Sequence, residues 1–137
     1  MIDIENDVFT IVATAVRTAH STATVVGEFV DVPASFPCVT IVEADNRILE
    51  YMRTNKIENG VSVMYEVNIY SNSVAGKKSE AKSIADTVDT AFATLNFTRT
   101  FREQIPNLRD STIYRIVCRY EAVVGENGSG KYLIYQS

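Results

Sequence analysis

The residues that most resemble a chemical motif lie near the C-terminus, at residues 125–132, GENGSGKY. Gly125, four intervening residues, Gly130 and Lys131 match the spacing of a phosphate-binding loop. Such a loop needs a Ser or Thr hydroxyl next, to ligate Mg²⁺, and it opens a helix whose N-terminus holds the phosphates. Tyr132 stands where that hydroxyl belongs, and only five residues follow it. The tail YLIY favours β structure. The glycines therefore read as a hairpin tip between two antiparallel strands, with Lys131 a solvated or interfacial charge. A nucleotide-binding enzyme built on this loop stays as an alternative, and loss of ATP binding on Lys131→Ala would identify it.

The remaining candidates for chemistry are sparse. His20, the single histidine, falls at the end of an expected helix, where capping is its ordinary role. A serine nucleophile needs a base within reach, and His20 has no evident partner. No Gly-x-Ser-x-Gly elbow and no metal-ligand spacing occurs. Asp86 and Asp89 lie on the polar face of a second expected helix. Glu43 and Glu66 lie on expected strands, both assigned to the outward face. The densest basic feature is Arg99, Arg102, Arg115 and Arg119. Arg115 and Arg119 share one face of a strand, since an offset of four preserves the face. They suit an acidic partner or a phosphate, with cross-strand pairing to Glu103 and Glu121 as the plainer reading. No cofactor and no metal is expected, and the pattern is not that of an enzyme.

Composition is that of one ordinary globular domain spanning residues 1–137, with 46% apolar and 22% charged residues. Two cysteines, Cys38 and Cys118, are too few for a disulfide framework and read as small buried hydrophobes in a reducing compartment. No signal peptide and no apolar run of membrane-spanning length is visible. The net charge of −4 argues against general nucleic-acid binding. That charge is unevenly spread: −6 over residues 1–50, 0 over 51–96 and +2 over 97–137. An acidic front and a basic back could attract copies head to tail.

The elements that would position these residues follow from periodicity. Residues 3–19 predict an amphipathic helix burying Ile4, Val8, Ile11, Val12, Ala15 and Ala19. Residues 22–30 and 38–44 predict strands, separated by a turn that Pro33 and Pro37 bracket. Residues 45–59 lack a clean period and read as a projecting loop or arm. From Gly60, Val61, Val63, Tyr65, Val67 and Ile69 alternate with polar residues, as in a half-buried strand. Residues 77–95 predict a second helix, with Ala81, Ile84, Ala85, Val88, Phe92 and Leu95 inward. Strands follow around residues 97–105, 112–122 and 132–135. Runs of adjacent strands give an α+β fold: a mostly antiparallel sheet with two helices on one face.

Three segments carry a family resemblance: SFPCVTIVEADN (35–46), YEVNIYSNSVAGKKSEAKSIADTVD (65–89), and FTRTF…IPN…STIYRIVCRYEAVV (97–124). In combination and order they resemble the tail terminator, or tail-completion, proteins of long-tailed bacteriophages. The resemblance implies a structural, non-enzymatic protein of the virion neck, assembled in the host cytoplasm. It implies a homo-oligomeric ring, commonly a hexamer, on the end of the tail tube, which stops polymerisation of the tube protein and offers a head-joining surface. The implied partners are the chain itself, the tail tube protein and a neck protein, with no membrane and no sequence-specific nucleic acid. A head-completion protein is the alternative within the neck. Candidate interface residues are Glu50, Tyr51 and Arg53 on the arm, with Arg99, Arg102, Arg115 and Arg119 on the basic strands.

Overall fold

The structure is a computed structural model that describes residues 2–49, 60–107, 110–126 and 132–136. Its elements are α1 (Glu5–Ala19), β1 (Thr24–Val26), β2 (Cys38–Ile48), β3 (Gly60–Ser71), α2 (Lys77–Thr94), β4 (Thr98–Gln104), β5 (Tyr114–Glu126) and β6 (Tyr132–Gln136). The strands form one sheet in the order β1-β2-β3-β5-β4, and β6 pairs with β5 beyond the end of β4. Among the described residues only β1 and β2 pair in parallel; every other pair is antiparallel. This is the expected α+β architecture.

Period-two alternation decides which face of the sheet the helices cover. Val61, Val63, Tyr65, Val67 and Ile69 of β3, and Ile116, Cys118, Tyr120, Ala122 and Val124 of β5, are buried in one apolar core. The helices add Val8, Val12, Ala13 and Val16 of α1 and Ala81, Ile84, Ala85, Val88, Ala91 and Phe92 of α2. Phe92 stacks on Tyr120 at 4.2 Å between ring centroids and meets Phe97 edge-on at 5.2 Å. Tyr65 closes the group edge-on to Phe97 at 5.5 Å. Offset and edge-to-face rings contribute beyond the area they bury, so these four aromatics fix α2 against β3 and β5.

After α2 the chain turns through Asn96, whose φ of 65° suits a helix-terminating residue. The Phe97 amide donates to the Phe92 carbonyl at 3.0 Å, closing that turn. Asn96 Nδ2 also donates to the Ile134 carbonyl at 3.2 Å, tying the helix end to β6.

The parallel β1–β2 pair requires a crossover connection: Gly27 still lies against Phe9 of α1, and Val30 and Phe36 lie on the face opposite the helices. Tyr70 Oη donates to the Val30 carbonyl at 3.1 Å. Cys38, Tyr70 and Ile113 form a second small core there, with Val26 and Phe36 packed on it. One end of the second sheet face is therefore covered, and the rest is open.

Several boundaries differ from expectation. β1 keeps only three residues of 22–30. β2 runs on to Ile48, past the expected end at residue 44. A register shift between Glu43 and Asp45 lets Asp45, Asn46, Arg47 and Ile48 pair with Met64, Val63, Ser62 and Val61. Part of the expected arm is thus strand, because β3 offers it a complete antiparallel partner. Ile11 is 44% exposed, contrary to expectation, and Ala13 and Val16 are buried in the α1 face. The chain after Lys131 enters β6, antiparallel to β5 with Glu126 opposite Tyr132. A phosphate-binding loop would open a helix at that point.

Candidate interaction surfaces

The four arginines of the basic strands divide between two faces of the sheet. Along a regular strand, Arg99 and Phe101 would share a face and Arg102 would oppose them. The register shifts between Arg99 and Phe101, where the pairing skips Thr100. A bulge of this kind re-aims the side chains that follow it. Arg99 and Arg102 then both reach α2. Arg99 Nη1 lies 3.4 Å from Asp89 Oδ1, and Arg102 Nη1 lies 3.0 Å from Asp86 Oδ1. Asp89 also accepts from Tyr120 Oη at 3.2 Å. Asp86 stays exposed and Asp89 partly so on the polar face of α2, as expected, and each also pairs with an arginine of β4.

Arg115 and Arg119 stand together on the open face, as their spacing requires. Their partners lie on β3 and are not Glu103 or Glu121. Arg119 Nε donates to Glu66 Oε1 at 3.1 Å. Arg115 donates from Nε and Nη2 to Asn68 Oδ1 at 2.9 and 2.7 Å. Asn68 Nδ2 in turn donates to Glu66 Oε2 at 3.4 Å. The result is a ladder, Arg115–Asn68–Glu66–Arg119, on two adjacent strands. Aromatic faces steady both cations: Arg115 lies 5.6 Å from the Tyr70 ring and Arg119 lies 4.9 Å from the Phe101 ring.

Asn68 is fully buried among these partners, while both arginines keep part of their surface in water. The guanidinium groups are thus held in place before any partner arrives. Their N–H groups beyond those spent on Asn68 and Glu66 suit a carboxylate or phosphate group. Asn68 stands on the polar side of β3, as the alternation expects, but its bond to Arg115 was not foreseen. Its signal was an amide in the middle of a β-branched and aromatic strand, where Asn is depleted.

A second charged cluster lies at the outer edge of β2. Glu43 shares the face of Val39 and Ile41, on the helix side, which corrects its expected outward assignment. Glu43 Oε1 accepts from Tyr65 Oη at 3.1 Å. The Glu43 amide donates to Glu5 Oε2 at 3.3 Å, and the Glu5 amide donates to Asp3 Oδ1 at 3.0 Å. Asn46 Nδ2 donates to the Ile2 carbonyl at 3.0 Å, fastening the N-terminal segment across β2. Burial pushes the Glu43 carboxyl above its usual range, and the charges of Glu5 and Asp3 push the same way.

His20 Nε2 lies 3.0 Å from Thr87 Oγ1, linking the end of α1 to α2. Cys38 and Cys118 are both buried and unbridged, and burial pushes both thiols up. Among the described residues, no group of three or more His, Cys, Asp or Glu side chains could hold a metal ion. No described helix is long and apolar enough to cross a membrane. Glu50, Tyr51, Arg53 and Lys131 lie outside the described residues. No family model matches the chain, and comparison with curated proteins found no match.

Proposed function

We propose that this chain is a structural bacteriophage tail terminator. In this reading it forms a homo-oligomeric ring, hexameric as is common in the family, on the end of the tail tube in the virion neck. The ring stops tube growth and presents a surface to the head. The observation that carries the reading is where the three resembling segments fall. Residues 35–46 contribute most of β2, residues 65–89 most of β3 and α2, and residues 97–124 β4 and β5. These are the four adjacent strands and the helix that build the framework.

Two surfaces suit such a role. The open sheet face carries the Arg115–Asn68–Glu66–Arg119 ladder. The edge of β2 carries an acidic cluster, while α2 opens on Lys77 and Lys78, so the chain has unlike faces to offer a neighbouring copy. The test is addition of the purified chain to polymerising tail tube protein. A terminator binds tube ends and halts growth. A head-completion protein binds the connector and leaves tube growth unchanged.

A further inference from the structure

The turn between β3 and α2 is built as a knob. Val74 is 108% exposed at its tip, and no described residue packs over it. Two cations flank it at the first turn of α2. Lys77 Nζ donates to the Thr112 carbonyl at 3.2 Å, which holds the knob against the turn that precedes β5, and Lys78 is exposed.

A hollow of about 160 Å³ is lined by Glu5, Asn6, Phe9, Gly27 and Ile41. Its floor is the Phe9 ring and Ile41, and it stays open partly because residue 27 has no side chain. A Cβ at Gly27 would lie 3.5 Å from two Phe9 ring atoms, in ordinary contact. Glu5 stands on its rim beside Asp3 and Glu43. The knob carries Lys77 and Lys78, with Asp110 near Lys77 and Glu80 tied back to Ser71, while Glu5, Asp3 and Glu43 gather at the hollow.

We propose that the Val74 knob of one copy seats in the Phe9–Gly27–Ile41 hollow of the next, with Lys77 and Lys78 facing the Glu5 rim. The occupant is a second copy of this chain, chosen by complementary shape and charge. The two surfaces belong to different elements, so the contact is heterologous and can repeat around an axis. It deepens the ring reading and rests on that reading only for closure.

The test mixes two singly substituted chains, Val74→Cys and Gly27→Cys, under mild oxidation. Cys38 and Cys118 are buried, so the introduced thiols dominate the chemistry. With equal amounts of the two chains, random collision already gives about twice as much mixed disulfide as either like-with-like dimer, so a mixed disulfide well above that twofold ratio is the expected result. A mixed species at or below the twofold ratio overturns the proposal.

Sedimentation gives a second reading. Val74→Asp, at a position over which no described residue packs, should weaken association about tenfold or more with unchanged thermal melting. Gly27→Leu should do the same by filling the hollow. Unchanged association in both variants also overturns the contact. Cross-linked oligomers that fail to cap tubes would keep the contact and reject the tail reading. Capped tubes without the mixed disulfide would do the reverse.

Discussion

Arg115 directs two N–H groups, at 2.9 and 2.7 Å, onto the single side-chain oxygen of Asn68, one strand away. Asn68 is wholly buried and Arg115 is not. The buried amide thus fixes the position of a cation that still reaches solvent. Arg115→Ala leaves the Asn68 oxygen without these donors and should cost about 1–3 kcal/mol. Urea unfolding of the variant checks this. Arg115→Lys should recover only part of the loss, because an ammonium cannot reproduce the two-pronged contact.

Thr40 has the opposite character. It is fully buried on β2 opposite Asn68, and its Oγ1 has no hydrogen-bond partner among the described residues. Thr40→Val replaces an unsatisfied hydroxyl with a methyl of similar size. The variant should be more stable by about 1 kcal/mol, read as a higher urea midpoint with an unchanged slope. A loss of stability would show that the hydroxyl is satisfied in solution.

Phe92 carries the aromatic cluster that fixes α2 to the sheet, stacking on Tyr120 and meeting Phe97. Phe92→Ala should cost about 3–5 kcal/mol, the range for a fully buried aromatic. Far-ultraviolet dichroism during thermal unfolding reads the loss as a lower Tm.

Glu43 gives a pH dependence with a definite sign. Its folded pKa is raised, chiefly by burial and then by Glu5 and Asp3, against the lowering effect of the Tyr65 and Asn46 hydrogen bonds. The native state therefore holds its proton more tightly than the unfolded chain. Stability falls as pH rises from the unfolded value of about 4.5 through the folded value, and the penalty is complete above that. Glu43→Gln removes the penalty and keeps the acceptor for Tyr65. The variant should exceed the parent in stability at neutral pH, and the difference should vanish below about pH 4.5, where Glu43 is protonated in both states.

The framework was legible because its signals are periodic. Alternation along β3 named the buried residues Val61, Val63, Tyr65, Val67 and Ile69, and both helices lie close to their expected limits. What could not be read were departures from period. The skip at Thr100 puts Arg99 and Arg102 on one face and Phe101 on the other, and nothing in TRTFREQ marks it. The shift between Glu43 and Asp45 extended β2 into a stretch that looked aperiodic. Alternation was read as turning Glu43 outward, yet it faces Tyr65 on the helix side. Pairing arginines with nearby Glu103 and Glu121 failed because the sheet brings β3, some 50 residues distant in sequence, beside β5. Tertiary neighbours decide such contacts, and local spacing carries no record of them.

The most direct test of the terminator reading is a tube-growth assay with purified tail tube protein, followed by electron microscopy. The account predicts that substoichiometric chain stops elongation and that ring-shaped density sits on one end of each tube. Tubes that keep growing, with ends bare of the protein, would contradict it.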